Sequence, residues 1–133
     1  MKHSSHFADR LIDAIRKKKS IVCVGLDPQI DHIPEFLRTG VAPAEAILKF
    51  NKGIIDAVFD LVPAVKLQIA FYELFGNEGV RVFQETIQYA RSKKLLVIAD
   101  AKRNDVGHSA EAYAQAFLSS DGFDADALTV TPY

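Results

Sequence analysis

Leu95-Leu96-Val97-Ile98-Ala99-Asp100-Ala101-Lys102-Arg103-Asn104-Asp105-Val106-Gly107 begins as an apolar run and ends in charge. Leu95 to Ala99 predicts a strand buried on both faces, as in a parallel sheet covered by helices. Side chains alternate across a strand, so Leu96, Ile98, Asp100 and Lys102 share one face. Leu95, Val97, Ala99 and Ala101 share the other. A carboxylate and an ammonium therefore emerge side by side at the strand's carboxyl end. Asp105 follows three residues later, where the chain leaves for a loop. In α/β sheets and barrels that end of a strand is where chemistry is done. An ordinary strand-end ion pair is the competing reading.

Similar strands flank this one. Ser20 to Leu26 is predicted as the first, stopped by Asp27-Pro28, with Asp27 at its carboxyl end. Asp27 there also suits a turn cap. Ala64-Val65-Lys66-Leu67-Gln68 is the second, and Leu95 to Ala99 the third. Lys66 stands out, because a buried ammonium is costly without a partner. It either snorkels to solvent or points at the same mouth as Asp100. Ala127 to Thr131 is the fourth strand.

Helices are predicted between the strands. Phe7, Leu11, Ile12 and Ile15 mark an amphipathic opening helix, closed by Arg16-Lys17-Lys18-Lys19, cations that suit a helix carboxyl end. Pro43 suits the first turn of a second helix, whose stripe is Ile47, Phe50, Ile54, Val58 and Leu61. Asn77 is a candidate cap for a third, with Val80, Phe83, Ile87 and Ala90 facing inward. A fourth starts near Ser109, with Tyr113, Ala116 and Phe117 on one face, and Asp121-Gly122 turns it out.

Strand–helix alternation with apolar strands predicts a parallel sheet with right-handed crossovers. An open doubly wound sheet and a (β/α) barrel both fit. No G-x-G-x-x-G follows the first strand and no P-loop pattern occurs, which removes the main support for dinucleotide and P-loop readings. Charge at the ends of three strands (Asp27, Lys66, Asp100 with Lys102) matches several strands converging on one barrel mouth.

Bulk properties narrow the class. The chain has 133 residues, 49% of them apolar and 25% charged, with a formal net charge of −1. No broad basic field argues for nucleic acid or an anionic membrane. The single cysteine, Cys23, lies in an apolar run and reads as a small core residue. No stretch reaches transmembrane length and no signal-peptide apolar region opens the chain, so a cytoplasmic setting is expected. No linker divides residues 1–133, which read as one domain.

Four segments carry a family resemblance: V-G-L-D-P at Val24 to Pro28, A-V-K-L-Q-I-A-F-Y-E at Ala64 to Glu73, I-A-D-A-K-R-N-D-V-G at Ile98 to Gly107, and A-L-T-V-T-P-Y at Ala127 to Tyr133. In this order they resemble orotidine 5′-phosphate decarboxylase, in its longer bacterial branch. The resemblance implies a (β/α)8 TIM barrel, usually a homodimer, that converts orotidine monophosphate to UMP in pyrimidine synthesis with no metal and no organic cofactor. It implies that Lys102 donates the proton to C6 and that Asp100 sits against the departing carboxylate. Lys66 would bridge Asp100 and the ribose, and Asp27 would hold a ribose hydroxyl. Asp105 would enter the partner subunit's site, and Ser109 would keep a polar contact to substrate. Leu67, Asn104, His108 and Thr131 differ from the residues usual in that branch, and His108 reads best as an exposed residue.

A whole barrel takes roughly 250 residues, and this chain stops after its fourth predicted strand. The expectation is therefore the N-terminal half of a barrel, with an open sheet edge. It would hold the charged residues without the phosphate grip that such barrels build after strands seven and eight. Alone it should turn over little or no substrate. Two other functions fit the residues less closely. One is a Mg2+-dependent sugar-phosphate decarboxylase or aldolase of the same superfamily, whose members tend to carry an acid where Lys66 stands. The other is a non-catalytic half-barrel that only assembles.

Overall fold

Four strands run parallel and in chain order in the computed structural model, which describes residues 6–131. They are β1 (Cys23–Gly25), β2 (Ala64–Gln68), β3 (Leu96–Asp100) and β4 (Ala127–Leu128). β1 pairs with β2, β2 with β3 and β3 with β4. Every crossover thus steps in the same direction. A doubly wound sheet reverses that direction at its switch point. Crossovers of one hand and one direction put their helices on one face, as in a (β/α) barrel. Four strands amount to half of an eight-stranded one.

The helices are α1 (Phe7–Lys18), α2 (Glu35–Arg38), α3 (Pro43–Val58), α4 (Ala70–Glu73), α5 (Gly76–Ser92) and α6 (Gly107–Leu118). The core lies between the sheet and α3 and α5. Val65, Leu67, Val97 and Ala99 project from the helix-facing side and are fully buried. Ile47 and Ile55 of α3 and Val82, Phe83 and Ile87 of α5 pack in the same cluster. Phe83 meets Tyr72 and Phe123 edge-on, each at 5.2 Å between ring centres. Burying a side chain of this size contributes on the order of 1.5–3 kcal/mol.

Two strands depart from the sequence reading in burial. β3 is buried on one face only: Val97 and Ala99 are buried, whereas Leu96, Ile98 and Asp100 are half-buried. The reason is the one-sided helix layer, which leaves the opposite face uncovered. β1 pairs over Cys23–Gly25 and not over the predicted Ser20–Leu26. Ile21 is 83% exposed and Val22 53%. β1 is an edge strand, so nothing covers its far side. Cys23 lies on the uncovered face and is exposed, not part of the core. β4 likewise pairs only over Ala127–Leu128, although Thr129 N–H still donates to the Ala99 carbonyl at 3.0 Å. The Pro132-Tyr133 end of its motif lies outside the described residues.

Helix details also shift. Pro43 opens α3 as expected. The buried residues of α3 are Ala44, Ala46, Ile47, Leu48, Asn51 and Ile55; Phe50, Ile54 and Val58 are half-buried and Leu61 is exposed. Asn77 is no cap. It sits inside α5, whose N-cap position is Phe75. The unpredicted turn of α4 brings the chain round early, and Gly76 takes a positive φ of 58° there. Gly79 then presses on α4: a Cβ on it would lie 1.7 Å from the Tyr72 carbonyl oxygen. Val80 is half-buried and Val82 takes its place in the core. α1 buries no residue fully. It is held instead by Arg10 on Asp126 and by Lys18, whose Nζ donates to the Phe59 carbonyl at the end of α3 at 2.8 Å. α6 buries Phe117 alone, with Tyr113 half-buried and Ala116 exposed, because it lies over the edge strand β4.

Candidate active site

The inner, uncovered face of the sheet carries the charges. Its register sets Gly25 beside Lys66, Lys66 beside Ile98 and Gln68 beside Asp100. Residues in register on parallel strands point to the same side, so Lys66 and Asp100 project together. Past β1, Leu26 N–H donates to the Lys66 carbonyl at 2.7 Å. That bond carries the chain over the end of β2, where the Asp27 carboxylate accepts the Gln68 N–H at 3.1 Å.

The result is a line of alternating charge. Lys66 Nζ is 3.2 Å from both Asp27 oxygens and 3.3 Å from Asp100 Oδ2. Asp100 Oδ1 accepts from the Lys102 ammonium and from the Thr129 hydroxyl, the latter at 2.9 Å. The order is Asp27, Lys66, Asp100, Lys102. Asp100 is the sheltered member, its side chain 14% exposed, while that of Lys102 is 51% exposed. A shielded carboxylate thus grips an ammonium that still reaches the open face.

The electrostatics follow from these contacts. Burial pushes the Asp100 carboxyl up. Hydrogen bonds from Lys102, Thr129 and Lys66, with the Lys102 charge, outweigh that and hold it below its ordinary value. Burial pushes the Lys66 ammonium down, and Asp27 and Asp100 together raise it above its ordinary value. Partial shielding by its neighbours raises the Cys23 thiol, against the pull of nearby Lys66. Opposite charges this close keep each other ionised, so the array is set before any ligand arrives.

Tertiary structure brings four of the sequence-predicted residues together and leaves two outside. Asp105 is exposed and its carboxylate accepts the adjacent Val106 N–H at 2.8 Å. Ser109 is exposed on α6. His108 is fully exposed with Nδ1 3.5 Å from Glu111, a solvated surface pair. Asn104 accepts from the Thr131 amide and hydroxyl at 2.8 and 2.7 Å, tying the loop after β3 to the chain after β4. Among the described residues, no three His, Cys, Asp or Glu gather as metal ligands would. Sequence reasoning missed Thr129. The available signal was a pair of hydroxyls, Thr129 and Thr131, on one side of a strand otherwise made of Ala127, Leu128 and Val130.

The orotidine 5′-phosphate decarboxylase / HUMPS family model matches residues 20–133. The chain is 45% identical over 126 residues to the orotidine 5′-phosphate decarboxylase of Clostridium acetobutylicum, covering 94% of this chain and 43% of that protein. It is 44% identical over 126 residues to that of Petrotoga mobilis, with the same coverage. Among solved structures, a Streptomyces avermitilis protein provisionally described as an orotidine 5′-phosphate decarboxylase superposes with a TM-score of 0.85 at 37% identity. The match covers 97% of this chain and 45% of that one. The chain therefore spans less than half the length of these relatives.

Proposed function

The chain belongs to the orotidine 5′-phosphate decarboxylase / HUMPS family, and on that premise we propose that it supplies the charged half of a site that decarboxylates orotidine 5′-phosphate to UMP. The observation that carries this is the unbroken line Asp27, Lys66, Asp100, Lys102. Loss of CO2 leaves an electron pair on a ring carbon. A fixed ammonium beside that carbon stabilises the developing charge and then supplies the proton. Lys102 is the donor, being anchored on Asp100 yet open to the uncovered face. Asp100 lies against the leaving carboxylate. Lys66 holds Asp100 in place and reaches the ribose, with Asp27 on a ribose hydroxyl. An ammonium at the end of β2 disfavours a cation there, which argues against a Mg2+-dependent relative.

Asp105 has its own place in this reading. It points to solvent and stays apart from the four, as a residue serving a neighbouring subunit would. The working assembly we propose is a homodimer in the cytoplasm. Ser109 at the start of α6 would contact substrate as it enters. Binding energy from a remote phosphate is the kind an enzyme uses at a distant reacting centre. This chain by itself would accordingly turn over little or no substrate.

The test follows orotidylate absorbance with the chain completed by the C-terminal half of a close relative. Lys102→Ala should remove turnover with much less effect on UMP binding. Equal losses in both would count against Lys102 as donor, and full turnover by the 133-residue chain alone would overturn the need for the other half.

A further inference from the structure

Lys102 holds a backbone that side chains resist. Its φ is 51°, in the left-handed region, where a Cβ crowds the neighbouring carbonyl. Few residues other than glycine, asparagine and aspartate settle there unaided. The local partner that fixes it is on another strand. The Lys102 amide donates to Thr129 Oγ1 at 3.1 Å. The same hydroxyl donates to Asp100 Oδ1 at 2.9 Å. A hydroxyl has one proton to give and lone pairs to receive, so a single atom satisfies both bonds. Thr129 is itself seated, because its N–H donates to the Ala99 carbonyl at 3.0 Å.

We propose that Thr129 is a positioning residue, which sets the Lys102 ammonium on Asp100 by gripping the backbone of one and the carboxylate of the other. Its importance for turnover rests on the decarboxylase reading above; its geometric role does not. Without the hydroxyl, the Lys102 amide loses its partner and the turn relaxes toward extended backbone. Asp100 Oδ1 then keeps one donor in place of two. An ammonium on a long flexible stem would no longer be aimed by its own main chain.

The experiment is NMR on the 133-residue chain with Thr129→Val, which keeps the shape and removes the hydroxyl, and Thr129→Ser, which keeps the hydroxyl. In Thr129→Val the Lys102 amide should exchange with solvent roughly tenfold faster, while the Val97 and Ala99 amides stay protected. The Asp100 carboxyl should titrate higher than in the parent chain. The charged groups facing it, Lys66 and Lys102 with Asp27 one step beyond, are untouched by the change. Thr129→Ser should restore both values. Parent values in Thr129→Val, or Thr129→Ser behaving like Thr129→Val, would overturn the proposal. Should Thr129→Val not fold, the parent chain decides: its Lys102 amide must exchange more slowly than the Asn104 amide two residues on, and equal rates refute the grip. Turnover plays no part in these readouts. A failed grip leaves the decarboxylase reading standing, and an active Lys102→Ala enzyme sinks that reading without touching the grip.

Discussion

Lys66 and Asp100 sit on neighbouring strands, two residues apart in register, and their side chains close that offset to meet at 3.3 Å. Lys66 lies lower on the sheet and reaches up and across to the rim. One ammonium thereby bridges two carboxylates, since it also holds Asp27 at 3.2 Å. Replacing it with an apolar chain leaves Asp27 without its counter-charge and Asp100 with Lys102 alone. Lys66→Met should raise the Asp100 titration and weaken the bond between the β1 end and β2. The check is a carbon-detected NMR titration of Asp100 alongside urea unfolding. The carboxyl should move up, and stability should fall by about 1 kcal/mol, the usual scale for a charged hydrogen bond that solvent partly reaches.

Stability should decline at both extremes of pH, for opposite reasons. Asp100 titrates below its ordinary value of 3.8 in the folded chain. Its contribution is therefore complete above about that value and is lost as pH falls through the lower folded one. Lys66 titrates above its ordinary 10.5. Its contribution is complete below that and is lost as pH rises through the higher folded value. Urea midpoints across a pH series should show a plateau between, with losses in strong acid and strong base. Lys66→Met should flatten the alkaline limb while leaving an acid limb.

Tyr72 ties the core to the rim. It is fully buried, and its hydroxyl donates to the Leu26 carbonyl at 2.9 Å, one residue before Asp27. The Asn51 amide donates to that hydroxyl at 2.9 Å and to Thr86 at 3.3 Å. Burial pushes the phenol far above its ordinary value, so it stays a donor. Tyr72→Phe should cost about 1–2 kcal/mol in urea unfolding, because the Leu26 carbonyl and the Asn51 amide both lose a buried partner. The ring still fills its place beside Phe83, so the loss should be well below that of Tyr72→Ala, where a cavity adds several kcal/mol.

Asp126 serves the opposite end of the sheet, and its loss should hurt stability more than that of any acid at the mouth. Its side chain is 3% exposed. It accepts from Arg10 and from Arg91 at 3.0 Å, and from the Val97 amide at 2.8 Å. Asp126→Ala takes the side-chain acceptor from the Val97 amide, frees Arg10 and leaves Arg91 with Asp124 alone, a loss of about 2 kcal/mol. Asp27→Ala, at a half-open position, should cost about 1 kcal/mol or less. The two variants compared by thermal melting decide whether the base of the sheet is the stabilising end and the rim the functional one.

Much of the fold was legible in the residues, because strand and helix periodicity are local properties. Ala64–Gln68 is a strand as read, Pro43 opens its helix, and Asp27, Lys66, Asp100 and Lys102 converge as their places at strand ends implied. What alternation alone could not supply is which face stays uncovered. That depends on all crossovers stepping one way, and it explains why Cys23 and Ile98 are not core residues. Asn77 failed as a cap because α4, a four-residue turn too short to leave a periodic signature, moves the start of α5. The sequence by itself determined the order of the elements and the charge at each strand end. Only the tertiary structure decided that Thr129 joins Asp100 to Lys102, since that contact depends on how β3 and β4 lie against each other across 29 and 27 residues of chain, a relation no local pattern encodes.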